Sequence, residues 1–168
     1  MRVLPVLSLL TTLVYCEPEV NSHVEAQVNN KRNIVCEPPF KWVGEDCLYF
    51  NYRKQIDFYT SLWLCRSLTG YMAEPTNRDV LLKYMEENYK ELPVRTHFFL
   101  GASDIKKEGQ WTWESSKGKV DPSIWSEKPM REDGENCMAV IYNGDGKFKI
   151  NDEPCDNNFN GYTICEQH

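Results

Sequence analysis

Basic residues are not in excess here: 19 Lys and Arg stand against 25 Asp and Glu, a formal net charge of −6. Nucleic-acid binding usually needs a basic face, so no nucleic acid is expected as the main partner. Histidine is scarce. His23, His97 and His168 are scattered without metal-ligand spacing, and His97, at the start of an apolar run, reads as structural. After residue 16 no apolar run is long enough to cross a bilayer, so no membrane span is expected. The chain has no Asn-x-Ser/Thr sequon, which argues against N-glycosylation, and no P-loop or dinucleotide glycine pattern. No pair of carboxylates is fixed as acid and base across a bond, and no Ser or Cys has a catalytic partner. The chain reads as a binding protein rather than an enzyme.

What the chain does have begins with a leader. Arg2 precedes the apolar stretch Val3 to Val14, which is too short for a membrane helix. Small residues then stand before Glu17, so residues 1–16 read as a signal peptide and the protein as secreted and extracellular. Residues 17–35 are polar and mixed. Val20, Val24 and Val28 repeat every four residues, which leaves open a disordered linker or a short oligomerising helix. Of seven cysteines, Cys16 leaves with the leader. The remaining six suit three disulfides in a secreted context, with fifteen possible pairings.

The stretch from Glu135 to Cys155 organises the rest. Met138–Tyr142 and Lys147–Ile150 are β-prone runs on either side of Asn143-Gly144-Asp145-Gly146, a strong hairpin signal. Cys137 and Cys155 lie near its outer ends, close enough to bridge. Beside them stand Glu135, Asn136, Asn151 and Asp152. Their oxygen-bearing side chains are expected to converge at one end of the hairpin, a donor set that suits calcium.

Upstream, Cys36 and Cys47 bracket a local hairpin. Asp57 is placed to cap a helix through Phe58, Leu62, Cys65 and Leu68, ended by Gly70. Cys65 lies on its apolar face and should pair with something distant. Thr76 with Asp79 resembles a capping box for a second helix through Leu81, Tyr84, Met85 and Asn88, closed by Pro93. The runs His97–Gly101, Trp111–Trp113 and Tyr162–Cys165 read as strands. The charged stretch from Glu114 to Asp133, rich in Gly, Pro and Ser, reads as a long loop. Two helices and short strands make an α+β domain over residues 36–168.

In this order, the motifs resemble the C-type lectin-like domain over roughly Cys36 to Cys165. Gly70-Tyr71-Met72-Ala73 looks like the family's glycine-then-leucine-alanine segment. Phe99-Leu100-Gly101-Ala102 stands where the family has Trp-Ile-Gly-Leu, and Ile150-Asn151-Asp152 where it has Trp-Asn-Asp. The resemblance implies two helices flanking small antiparallel sheets, and a long loop region that carries calcium and sugar. It also implies three disulfides, Cys36–Cys47, Cys65–Cys165 and Cys137–Cys155.

Of the family's primary calcium ligands, Glu135, Asn151 and Asp152 match. The Glu-Pro-Asn or Gln-Pro-Asp triplet does not: the chain reads Lys128-Pro129-Met130. An ammonium cannot ligate a cation, and a thioether is a poor calcium ligand. Asp104 and Glu108 match the first ligands of an auxiliary calcium site, and Glu135 and Asn136 stand where others come from. These side chains either hold calcium or face water as ordinary loop carboxylates. With the primary site degraded, Lys128 either enters the place between Glu135 and Asp152 as a tethered cation or points into solvent.

Two functions follow from the resemblance. One is recognition of glycans, microbial ones in innate defence among them, by long-loop residues Lys128, Met130, Glu135, Asn151 and Asp152. The other is a lectin-like fold that binds a protein or a surface without sugar. The first is favoured by the acids, the second by Lys128 and Met130.

Overall fold

The computed structural model describes residues 35–127, 129 and 134–167. The signal peptide, almost all of the linker, Lys128 and Met130 lie outside the described residues.

Among the described residues, eight strands form one sheet. β1 (Lys41–Val43) and β2 (Asp46–Ile56) make the first hairpin, and α1 (Phe58–Ser67) follows. β3 (Tyr71–Met72) precedes α2 (Arg78–Asn88), and β4 (Thr96–Ser103) precedes the short β5 (Thr112–Trp113). β6 (Cys137–Tyr142), β7 (Phe148–Glu153) and β8 (Gly161–Gln167) complete the set. The path across the sheet is β1-β2-β8-β4-β6-β7, with β3 added to β8 and β5 to β4.

The small antiparallel sheets expected are therefore one mixed sheet. β4 pairs with β8 in parallel, Phe98 opposite Tyr162 and Phe99 opposite Thr163. That pairing explains the apolar run of β4. Phe98, Phe99 and Leu100 are all fully buried, as befits a central strand covered on both faces.

Side chains alternate across the sheet. Phe98, Leu100, Met138, Val140 and Ile150 pack with Leu81 and Met85 of α2. Phe99, Ala139 and Cys137 pack on the other face with Phe58 and Cys65 of α1. The disulfides Cys65–Cys165 and Cys137–Cys155 belong to this second layer. Cys36–Cys47 staples the first hairpin.

Local signals account for the helix starts, with one correction. Asp57 caps α1: Oδ1 accepts the Thr60 N–H at 2.9 Å, and Oδ2 the Thr60 hydroxyl at 2.6 Å. α2 is capped by Asn77, whose Oδ1 accepts the Asp79 and Val80 N–H groups at 3.0 and 3.2 Å. Thr76 does not cap it. Its hydroxyl and N–H are both given to Asp46, at 2.8 and 3.1 Å, so a tertiary partner outcompetes the capping box.

Gly101 is required by close approach. A Cβ there would lie 2.5 Å from the Met72 carbonyl oxygen, because the Gly101 N–H donates to the Ala73 carbonyl at 2.8 Å.

Trp111 lies just outside β5, and the stretch after it is more than a bare loop. Pro122–Ile124 forms a 3₁₀ turn capped by Asp121. Val120, Ile124 and Trp125 are buried in the α2-side core. Ser126 then clasps the edge strand β7: its N–H donates to the Ile150 carbonyl at 3.2 Å, and its hydroxyl oxygen accepts the Ile150 N–H at 2.9 Å. These contacts give the long loop a fixed base beside β7.

Candidate functional site

The end of β4 and the end of β7 bring two buried aspartates to the base of the long loop. Asp104 follows β4 directly. Its N–H donates to the Asn136 carbonyl at 3.2 Å, and its Oδ2 accepts the Gly109 N–H at 2.7 Å, closing the turn that carries Glu108. Asp152 lies in β7 opposite Met138 of β6. Asp104 is 2% exposed and Asp152 1%.

Three of their four carboxylate oxygens have no hydrogen-bond partner: Asp104 Oδ1 and both oxygens of Asp152. A buried carboxylate without donors is costly and either takes up a proton or calls for a cation. Burial pushes both acids above the usual carboxylate range. For Asp104 the Gly109 N–H partly offsets this. For Asp152 its own N–H partly offsets burial, and the charges of Asp104, Glu153 and Glu108 add to it. Asp104 and Asp152 thus stand on either side of β6, near enough for the charges of Asp104 and Glu108 to act on Asp152.

The other expected site residues divide. Asn151 and Asp152 are neighbours in β7 and differ in burial, as strand alternation leads one to expect. Asp152 shares the buried face with Ile150, while Asn151 lies half-buried on the face of Lys149. Glu135 and Asn136 are both half-buried just ahead of β6, and Asn136 reaches Asp104 through its backbone. Glu127 is taken by Lys149, whose Nζ lies 2.5 Å away. Among the described residues, no three His, Cys, Asp or Glu side chains meet at metal-binding spacing. Two aspartates with unmet oxygens fit part of a hard-cation shell.

Sequence reasoning missed other features. A cavity of about 600 Å³ lies between the Glu108 turn and the long loop, walled by Trp111 and Trp125. Those rings meet edge to face with centroids 4.6 Å apart. The one signal for it was a tryptophan inside a charged loop. A second acidic group was also missed, and here the protein itself supplies donors. Glu166 Oε2 accepts the Glu74 N–H at 2.8 Å, and its carboxylate also takes the Tyr71 hydroxyl. Glu74 Oε1 in turn accepts the N–H groups of Ser115 and Ser116 at 2.8 and 3.0 Å. No sequence pattern marks Glu166 as buried. His97 is structural: its Nε2 lies 3.2 Å from Glu153 Oε1, and its ring packs on Phe159.

Residues 54–167 match the family model described as the lectin C-type domain. C-type lectin mosGCTL-7 of Aedes aegypti is 33% identical over 109 residues, covering 61% of this chain and 71% of that protein. The fold is shared with the C-type lectin domain of murine dendritic cell inhibitory receptor 2, solved in complex with N-glycan. There the TM-score is 0.63 at 17% identity, covering 79% of this chain and 98% of that one. It is also shared with a calcium-independent type II antifreeze protein, with a TM-score of 0.61 at 22% identity, covering 79% and 94%. The chain belongs to the C-type lectin domain family, whose members are non-enzymatic binding proteins.

Proposed function

We propose that this protein is a secreted glycan-recognition protein that binds sugar at its long-loop end, with calcium bound there and Asp104 and Asp152 among the ligands. The observation that carries this is the set of unpartnered, buried carboxylate oxygens on those two residues. Glu108, carried on the turn that Asp104 closes, would add a third charge if it moved in with the ion. Bound calcium would supply coordination positions for sugar hydroxyl oxygens.

The chain's own residues set the rest. Ser126 holds the loop to β7, and the Asp104–Gly109 bond fixes the turn. Both act before any ligand arrives. The mosquito lectin and the neighbour solved with N-glycan support the sugar reading. The finer role, recognition of microbial glycans in innate defence, is proposed on the same footing.

The test is a glycan array probed with wild type and Asp152→Asn, each with calcium and with chelator. Wild type should give a calcium-dependent signal that the variant loses. A signal indifferent to both changes would remove calcium from the mechanism.

The Lys128-Pro129-Met130 sequence favours a second reading, a lectin-like domain that binds a protein or a surface. A wild-type protein silent on the array under both conditions would support it.

A further inference from the structure

We infer that the cavity between Trp111 and the Glu108 turn is a subsite for an additional pyranose ring of a neutral oligosaccharide, bound with its CH face on the Trp111 indole. This rests on the glycan reading above and adds to it a place and a ligand class.

The size is suitable. About 600 Å³ falls within the roughly 300–1,000 Å³ of sites that bury a small organic ligand. The wall is aromatic and fixed. Trp125 is 8% exposed and packed into the core, and Trp111 is held edge to face against it while remaining half-buried. One indole is thus an anchor and the other presents surface to the cavity.

The remaining lining selects the occupant. Glu108, Gln110, Lys119 and Glu127 share the cavity with the indoles. A hydrocarbon chain would cover the rings but desolvate those polar groups without repaying them. A pyranose meets both needs, since its faces carry C–H groups and its edge carries hydroxyls that donate and accept. The lining charges nearly cancel, with Glu108 and Glu127 against Lys119 and with Glu127 also paired with Lys149, which suits a neutral sugar.

The walls are also organised in advance. The Val120 N–H donates to the Trp111 carbonyl at 3.1 Å. The Arg78 guanidinium donates to the carbonyls of Ser123 and Trp125 at 2.8 and 2.7 Å. A loop tied from several sides loses little freedom when a ligand enters.

Finally, the cavity is linked to Asp104 through the turn that the aspartate closes. Gly109, which lines it, is the residue whose N–H Asp104 holds. A saccharide with one ring on calcium bound at Asp104 would then have Trp111 within reach of the next.

The experiment is a fluorescence titration in calcium, reading the tryptophans. Glucose, mannose and N-acetylglucosamine are each compared with a trisaccharide of the same sugar, and sodium dodecanoate serves as the hydrocarbon probe. For at least one sugar, the trisaccharide should bind tenfold or more tighter than its monosaccharide. Trp111→Ala should abolish that gain while leaving monosaccharide affinity within about twofold, and Trp111→Phe should restore most of it. Equal affinities for each pair in wild type overturn the subsite yet leave the glycan reading standing. A trisaccharide gain that survives Trp111→Ala also overturns it, as does dodecanoate binding in preference to every trisaccharide. If no saccharide binds in calcium or in chelator, the glycan reading falls and the subsite with it. The wild-type comparison decides even if Trp111→Ala fails to fold.

Discussion

Glu166 offers a prediction whose size can be worked out. It lies in β8 with 7% of its surface exposed. Burial pushes its carboxyl up to about 7 from an ordinary 4.5, against the pull of the Glu74 N–H and the Tyr71 hydroxyl. The charges of Asp46 and Glu74 push the same way as burial. The folded state thus binds this proton more tightly than the unfolded chain does. The stability that comes from holding it is fully present below about pH 4.5 and is lost as pH rises through about 7. At 1.36 kcal/mol per pH unit, the interval amounts to roughly 3 kcal/mol.

Glu166→Gln removes the titration and keeps an oxygen for the Glu74 N–H. Any loss of fit around Tyr71 is constant with pH and drops out of the comparison. Urea denaturation of both proteins at several values between pH 4.5 and 8, in chelator and at fixed ionic strength, measures the difference. The variant should gain on wild type by roughly 3 kcal/mol across that range. Parallel stability curves for the two proteins would refute the reasoning, since they would mean that Glu166 ionises in the folded state without cost.

In chelator, Asp152→Asn should raise stability by about 1–3 kcal/mol, because it removes a buried charge without donors. It should also abolish the calcium-induced rise in Tm expected of wild type. Differential scanning fluorimetry reads both. Gly101→Ala should cost roughly 1–3 kcal/mol or more, because the new methyl meets the backbone oxygen of Met72 rather than a side chain that can turn away. Chemical denaturation checks this. Replacing Cys65 and Cys165 by serine opens a link of sequence separation 100 and should cost on the order of 4 kcal/mol by the loop-entropy model, again read by denaturant midpoint. Asp57→Ala removes the α1 cap and should cost about 1 kcal/mol; loss of the Thr60 bonds without loss of stability would contradict that.

The sequence by itself determined features that depend on near neighbours. Gly144 and Gly146 take positive φ, at 90° and 78°, in the turn between β6 and β7, as Asn-Gly and Asp-Gly indicate. Asp57 caps α1 because the acceptor and the N–H it needs are three residues apart. The apolar spacing of both helices put Cys65, Leu81 and Met85 on buried faces. The alternation of β7 is also in the chain: Phe148, Ile150 and Asp152 are buried, while Lys149 is exposed and Asn151 and Glu153 are half-buried.

The tertiary structure decided what depends on distant partners. Thr76 suits a cap by every local rule, yet Asp46 claims both its donors. Nothing in β4 announces its parallel pairing with β8, which sets both cores. Val120, Ile124 and Trp125 sit in a charged stretch and are nonetheless buried, because α2 and β7 offer them a surface. Asp104, Asp152 and Glu166 are ordinary acids in sequence. Their unusual proton affinity arises from burial, and burial is conferred by segments far along the chain that the fold stacks around them.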